Sequence, residues 1–430
     1  MSQPSNDVVP EGGTRSVLNA AVLVAALGYF VDIYDLILVS IVRTPSLRAL
    51  GVPEGQLLTE GFSILNWQMG GMLVGGIVFG ILGDKKGRLQ ILFGSITLYS
   101  LATLANGFVQ DLTTYKLLRV VAGFGLAGEL GAGITLVSEL LPAKLRGYGT
   151  MIVASVGVSG AVVGNFVAKT LDWRWAFWVG GGLGLMLLVL RIRVHESGMF
   201  AQLKASGVRR GNFFSLFTRW ERFTRFLASI VIAVPIWVAN SLLILGAPEF
   251  AQMLGVTGPI TAGNAVALFY GGLVIGDVTS GVLSQVIGSR KKVVLGFIAM
   301  LMVAYGAYFV LGRGATPTTF YALCGLLGVS SGYWAIFATV AAEQFGTNIR
   351  ATVATTVPNF VRGLVPVVTN SFKWLAGLVP AAQGFPWFSP KLGLTGGALA
   401  VGALWFVLAI AGALRLRETF GVSLDFVEPD

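Results

Sequence analysis

Twelve times along this chain a stretch of mostly apolar residues recurs, each long enough to cross a bilayer core of roughly 30 Å. The stretches cover approximately 17–42, 60–82, 89–109, 114–139, 148–169 and 174–193, then 226–247, 261–286, 292–312, 317–341, 353–376 and 391–414. Backbone polar groups in hydrocarbon must be satisfied internally, and within one such segment only a helix does so. The pattern predicts an all-α membrane protein with twelve transmembrane helices. Composition agrees: of 430 residues, 55% are hydrophobic and 12% charged, whereas about a quarter of a soluble chain is charged. So few charges cannot cover a water-facing surface of this length.

Lysine and arginine set the orientation of such a protein. One set of loops carries Lys85, Lys86, Arg88, Lys144, Arg146, Lys291, Lys292 and Arg350, while the alternate loops hold fewer, among them Arg43, Lys116 and Arg174. An even span count places both termini with the richer set, hence in the cytoplasm of a cell (inner) membrane. The net charge of +10 then reads as a topology signal and not as a nucleic-acid footprint. Residues 1–16 and 415–430 are expected to be cytoplasmic tails, without a signal peptide at the start. The basic segment 194–225 separates a bundle over 17–193 from one over 226–414 and reads as a cytoplasmic linker. Cys324 and His195 are the only residues of their types. No intrachain disulfide or histidine-cluster metal site follows, and no nucleophile–base set is visible, so neither an enzyme nor a bound cofactor is expected.

The halves repeat. Glu139-Leu140-Leu141-Pro142-Ala143-Lys144-Leu145-Arg146 closes the fourth span, and Glu343 to Arg350 closes the tenth at the same spacing, 204 positions on. Gly80-x-Leu82-x-Asp84-x-x-Gly87-Arg88 after the second span returns as Gly281-x-Leu283-x-Gln285-x-x-Gly288 after the eighth, 201 on. Gln285 replaces the acid there, and Asp277 one turn earlier is a candidate to supply the charge. Parallel repeats place a substrate site between the halves near midplane.

Gly80-Ile81-Leu82-Gly83-Asp84-Lys85-Lys86-Gly87-Arg88 resembles the loop signature of the major facilitator superfamily. Arg119-x-x-x-Gly123-x-Gly125 with Glu139…Arg146-Gly147, Gly128-Glu129, Asp32-Ile33-Tyr34-Asp35 and Arg417-Glu418-Thr419-x-Gly421 resemble its metabolite:H⁺ symporter and sugar-porter branch. The seventh span, which reads Ile232-Ala233-Val234-Pro235-Ile236-Trp237-Val238-Ala239-Asn240 at its centre, lacks the paired glutamines of sugar porters. The resemblance implies two six-helix bundles, alternating access and protons as the coupling ion. It assigns gating to Asp84 and Arg88, and proton handling to Asp35 with Arg119.

Ionisable groups inside a membrane are costly and default to function. At 1.5 Å per residue, Asp32 and Asp35 fall in the outer half and Arg362 close to midplane. Asp35 is the first candidate for proton coupling. An arginine that approaches and leaves as the bundles rock would let it bind and release a proton; a static Asp35–Arg119 pair is the alternative. Asp32 is a second proton site or part of an outer vestibule. Glu129 is a relay or a structural group. Glu139, Arg146, Glu343 and Arg350, at cytoplasmic ends, suit salt bridges that close an inner gate. Arg362, with no acid nearby in its own helix, suits a carboxylate gripped bidentately; pairing with Asp32 across the halves is the alternative. Asn359, Gln68, Trp237, Asn240, Tyr270 and Tyr333 are polar or aromatic groups within spans and candidates to line the cavity. The expected partners are the lipid bilayer and a small, anionic or zwitterionic solute, with the chain acting as a monomer. A proton-driven exporter and a transporter-like sensor are the competing readings.

Overall fold

The computed structural model describes residues 20–86, 88–129, 146–191, 213–346, 349–378, 392–421 and 428. Among these every regular element is helical. The first half contains α1 (Ala20–Ala49), α2 (Leu57–Lys86), α3 (Arg88–Asn106), α4 (Leu112–Leu126), α5 (Arg146–Thr170) and α6 (Trp173–Arg191). The second half is more interrupted. There α7 (Trp220–Val231), α8 (Val234–Val238) and a π-helical turn (Ala239–Ile244) lead into α9 (Ala247–Leu254). After these come α10 (Ala262–Ile287), α11 (Arg290–Leu311), α12 (Pro317–Ser331), α13 (Trp334–Glu343), α14 (Arg350–Gly363), α15 (Val365–Ala376) and α16 (Gly393–Arg415). Among the described residues, eight helical stretches are long and apolar enough to cross a membrane, two of them, Trp220–Ile244 and Pro317–Glu343, spanning a break. The chain is a multi-pass membrane protein.

The interruptions follow from proline and glycine. Pro235 has no N–H and its ring crowds the preceding turn, so the helix breaks at Ile232–Ala233. The Ile236 N–H turns back to the Ala233 carbonyl, and the Tyr333 hydroxyl donates to the Ile232 carbonyl at 2.9 Å. Pro366 sits in the first turn of α15, just beyond the break at Leu364. The fourth helix of each half breaks at an equivalent glycine. In the first half α4 ends before Ala127-Gly128; in the second, α12 ends before Gly332-Tyr333, and the two glycines are 204 apart.

The repeat extends into the packing. A Cβ on Gly71 or Gly75 of α2 would strike the carbonyl of Val120 or Phe124. At Gly272 and Gly276 of α10, 201 positions on, the carbonyls of Gly325 and Val329 stand in the same places. Small residues let the paired backbones close up, the usual solution where lipid removes the hydrophobic drive between helices.

The halves meet along a seam where α2 lies against α14 and α15, and α5 against α10. The later part of the expected linker is ordered as a 3₁₀ turn (Phe213–Phe217) and the start of α7. Phe213 is buried, with its ring 6.5 Å from Phe226 and 5.9 Å from Phe360 of α14.

Candidate functional site

Asp35 of α1 and Arg119 of α4 form an ion pair, Nη1 to Oδ1 at 3.3 Å, with both side chains fully buried. The Arg119 Nη2 donates to Thr103 Oγ1 of α3 at 3.2 Å, and the guanidinium lies 5.1 Å from the Phe177 ring of α6. Four helices of one bundle thus enclose this pair. Asp32 is also fully buried, one turn back along α1. Glu129 is buried just past the Gly128 turn.

Arg362 has a different setting. It is 1% exposed, and among the described residues no carboxylate lies within ion-pair distance of it. Its Nε and Nη1 are buried without an acceptor. The guanidinium carbon lies 5.9 Å from the Trp237 ring and 5.5 Å from the Trp334 ring. The two indoles meet edge to face at 6.4 Å and 71°. Aromatic faces favour a cation electrostatically while leaving its N–H edge for an anion. Three residues earlier, Asn359 Nδ2 donates to the Ala127 carbonyl across the seam and to the Thr355 carbonyl, both at 2.9 Å. Its Oδ1 accepts no hydrogen bond.

The remaining candidates divide. Asn240 on the π turn donates to the Tyr270 hydroxyl at 3.0 Å, and both are buried. Gln68 is fully buried, and its Nε2 donates to the Leu36 carbonyl at 3.2 Å, pinning α2 to α1. Tyr333 is fully buried and uses its hydroxyl on the helix break at Ile232. Tyr29 was absent from the sequence-derived set. It is a buried α1 residue whose hydroxyl reaches the Trp334 side chain and feels the charges of Asp32, Arg362 and Asp277. It links the two groups of charges. A tyrosine among apolar neighbours carries no sequence signal for this.

Asp277 does not replace the missing loop acid. It lies ten residues before the end of α10, and its Oδ1 accepts the Ala335 N–H at 3.1 Å in the first turn of α13. Arg43 also departs from expectation. Apolarity falls there, so the sequence puts it in a loop; the helix instead continues to Ala49 and buries it. Its Nη2 donates to both Glu249 oxygens of α9 at 2.7 and 2.9 Å, joining the halves. Gly61 makes the room, since a Cβ there would strike the Arg43 side chain. At the same end, Thr369 Oγ1 donates to Asn66 Oδ1 at 2.8 Å, and Asn165 Nδ2 to Asn264 Oδ1 at 3.4 Å.

At the opposite end, Glu343 pairs with Arg290 of α11 and also feels the charge of Arg350, whose Nε donates to the Phe345 carbonyl at 3.2 Å. That pair lies within the second half. Glu418 accepts from Ser289 Oγ and from the N–H groups of Arg290 and Lys291, which cap α11. Burial pushes the Glu418 carboxyl up, but the hydrogen bonds from Ser289, Phe420, Arg290 and Lys291 outweigh it and hold it at about 2. Glu139 lies outside the described residues. Asp84, Arg88 and Arg146 are placed at helix ends, with their side chains outside the description.

Long apolar helices packed through glycines around the buried charges of Asp35, Arg119 and Arg362 define a multi-pass α-helical membrane protein. The profile of the Major Facilitator Superfamily matches residues 25–370, and the chain belongs to that family. It is 28% identical over 368 residues to a putative metabolite transport protein of Haemophilus influenzae, covering 82% of this chain and 88% of that one. Over 181 residues it is 33% identical to the 3-(3-hydroxy-phenyl)propionate transporter of Escherichia coli, covering 39% of this chain and 45% of that one. The crystal structure of a D-xylose-proton symporter superposes with a TM-score of 0.64 at 17% identity, covering 95% of this chain and all of that one, a likeness of fold. The relatives are transporters; the chain is a transporter of this family, not an enzyme.

Proposed function

We propose that the protein is a proton-coupled symporter of a small organic anion whose carboxylate docks on Arg362. In this reading twelve spans form two six-helix bundles with both termini cytoplasmic, in the cell's inner membrane. The chain works as a monomer by alternating access. The observation that carries it is the buried Arg362 guanidinium, flanked by Trp237 and Trp334, with Nε and Nη1 lacking an acceptor. Leaving such a charge unmatched is costly in a low-dielectric interior, and a bidentate carboxylate is the anion its fork best fits. The indoles add flat apolar walls, so a planar aromatic acid is the preferred solute. The named substrate of the Escherichia coli relative is of that chemical kind.

Asp35 takes the proton and Arg119 answers it. While Asp35 is ionised, the pair holds α1 to α4; protonation frees Arg119 and loosens that bundle for rocking. The Arg43–Glu249 tie closes the outer end in the state seen here. The test is uptake of benzoate, nicotinate and 3-phenylpropionate into proteoliposomes, with and without an inward proton gradient. Accumulation of at least one acid only under the gradient is expected, as is a fall of about 30-fold or more in Arg362→Ala. Accumulation that ignores the gradient removes the coupling. Wild-type uptake in Arg362→Ala removes the anchor.

A further inference from the structure

Asp277 is a membrane-buried carboxylate that the scheme above does not use. It is 4% exposed. Its Oδ1 accepts the Ala335 N–H, and the Trp334 N–H also reaches the carboxylate. Its Oδ2 is buried and accepts no hydrogen bond. Among the described residues no lysine or arginine is within ion-pair distance of it. Gly332, against the Gly276–Asp277 backbone, opens the helix so that the first N–H groups of α13 point at this side chain. Those N–H groups carry the positive end of the helix dipole. They stabilise an ionised carboxylate and lose most of that interaction when it is protonated. The residue whose amide Asp277 holds is the residue whose ring flanks Arg362: Trp334 makes both contacts.

We infer that Asp277 is a second proton-binding group, a positioning residue that acts on the solute site through Trp334. Ionised, Asp277 clamps the first turn of α13 and sets the indole against the Arg362 guanidinium. Protonated, it releases that turn, and the wall of the box moves. The balance is one proton taken up or given back at the free Oδ2, with no other bond made or broken. The charged groups nearest to it are Arg362, whose guanidinium lies 5.5 Å from the Trp334 ring, and Asp32 on α1, and Tyr29 of α1 feels both of them together with Asp277. On α10 itself Tyr270 is two turns away and bonded to Asn240. The π turn, α12 near its break and the described side chains of α5 below Lys169 bring no carboxylate, lysine or arginine. Arg290, Lys291 and Lys292 of α11 lie beyond the end of α10, about 15 Å or more away along the helix.

The inference rests on the proton-coupled reading, but its test needs no transport. Protein carrying Asp35→Asn, which silences the first proton site, is placed in nanodiscs of a zwitterionic lipid and titrated from acid to alkaline pH. Tryptophan emission and the infrared band of protonated carboxyl groups are followed together. One transition should appear in both signals. Adding Asp277→Asn, whose side-chain oxygen still accepts from Ala335, should remove it from both. Asp277→Glu should restore it at a shifted pH, and Trp334→Phe should remove the emission change but keep the infrared change. Persistence of both signals in Asp277→Asn, or their absence while Asp277 is intact, overturns the inference. Neither result bears on gradient-driven uptake through Asp35, which the liposome assay reads separately.

Discussion

The two fourth helices break at glycines 204 positions apart, yet the breaks are completed differently. In the first half the Ala127 carbonyl freed at the turn accepts from Asn359, a residue of the other half. In the second half the N–H groups freed at Gly332 are met by Asp277, from the same half. The residue 201 positions before Asp277 is Gly76, where a Cβ would strike Asn359. One half therefore uses its break to touch its partner, and the other uses it to hold its own wall. The charges divide in the same way. The Asp35–Arg119 pair is enclosed by first-half helices, and the Arg362 box is built by the second half. A duplicated frame has been given unequal chemistry, and the proposed division of labour, with protons handled in one half and solute held in the other, rests on that difference.

The largest expected effect tests that division. Asp35→Asn should reduce gradient-driven uptake to background while sparing exchange of solute across the liposome membrane; Arg362→Ala should lose both. If Asp35→Asn also abolishes exchange, proton handling and solute binding are not separated between the halves. Next comes the tie between the bundles. Glu249→Leu leaves Arg43 buried without its anion and should cost about 3 kcal/mol, somewhat offset because Glu249 is partly exposed. Arg43→Met with Glu249→Leu should recover most of this in a double-mutant cycle of thermal unfolding.

The two breaks can be compared directly. In Gly332→Ala the new methyl would overlap the Gly276 backbone, which cannot step aside; in Gly128→Ala it would lie 2.9 Å from Ser95 Cβ and Oγ, a milder overlap of which only the hydroxyl can swing away. Overpacking of about 1–3 kcal/mol is expected for the first and less for the second, read as midpoints of thermal unfolding. Equal losses would mean that the breaks are equally rigid.

The smallest effect is the tail cap. Glu418 is held at about 2, below its ordinary 4.5. Its stabilisation is complete above the ordinary value and fades as pH falls from there towards about 2. Glu418→Gln should abolish that fade. At neutral pH it should change stability by well under about 1 kcal/mol, because the carboxylate is exposed and solvent-screened.

Much of this was legible in the sequence for a simple reason: water and lipid sort side chains by polarity. Apolar runs gave the helices, and an acid and an arginine inside such runs, Asp35 and Arg119, proved to be paired. Arg362 stood out by the same logic. What was hidden depends on backbone groups and on room. The partner of Asp277 is a set of N–H groups exposed by a break at Gly332, and no side-chain pattern announces them. The burial of Arg43 needs the missing Cβ of Gly61, a helix away. The place of Tyr29 between the two charge groups depends on how α1 meets the second half. Such features follow from the seam, and the seam is fixed by backbone contacts that hydropathy does not encode.

The stacking of Phe213 on Phe226 and Phe360 has a mechanical consequence. The covalent tether between the bundles does not run free up to the seventh span; it is moored at Phe213 to the helix that carries Arg362. How far the bundles can part is then limited by the chain between Arg191 and Phe213. A residue added upstream of Phe213 lengthens the leash. One added between Phe213 and Trp220 instead shifts the mooring against α14 at Phe360, two residues from Arg362.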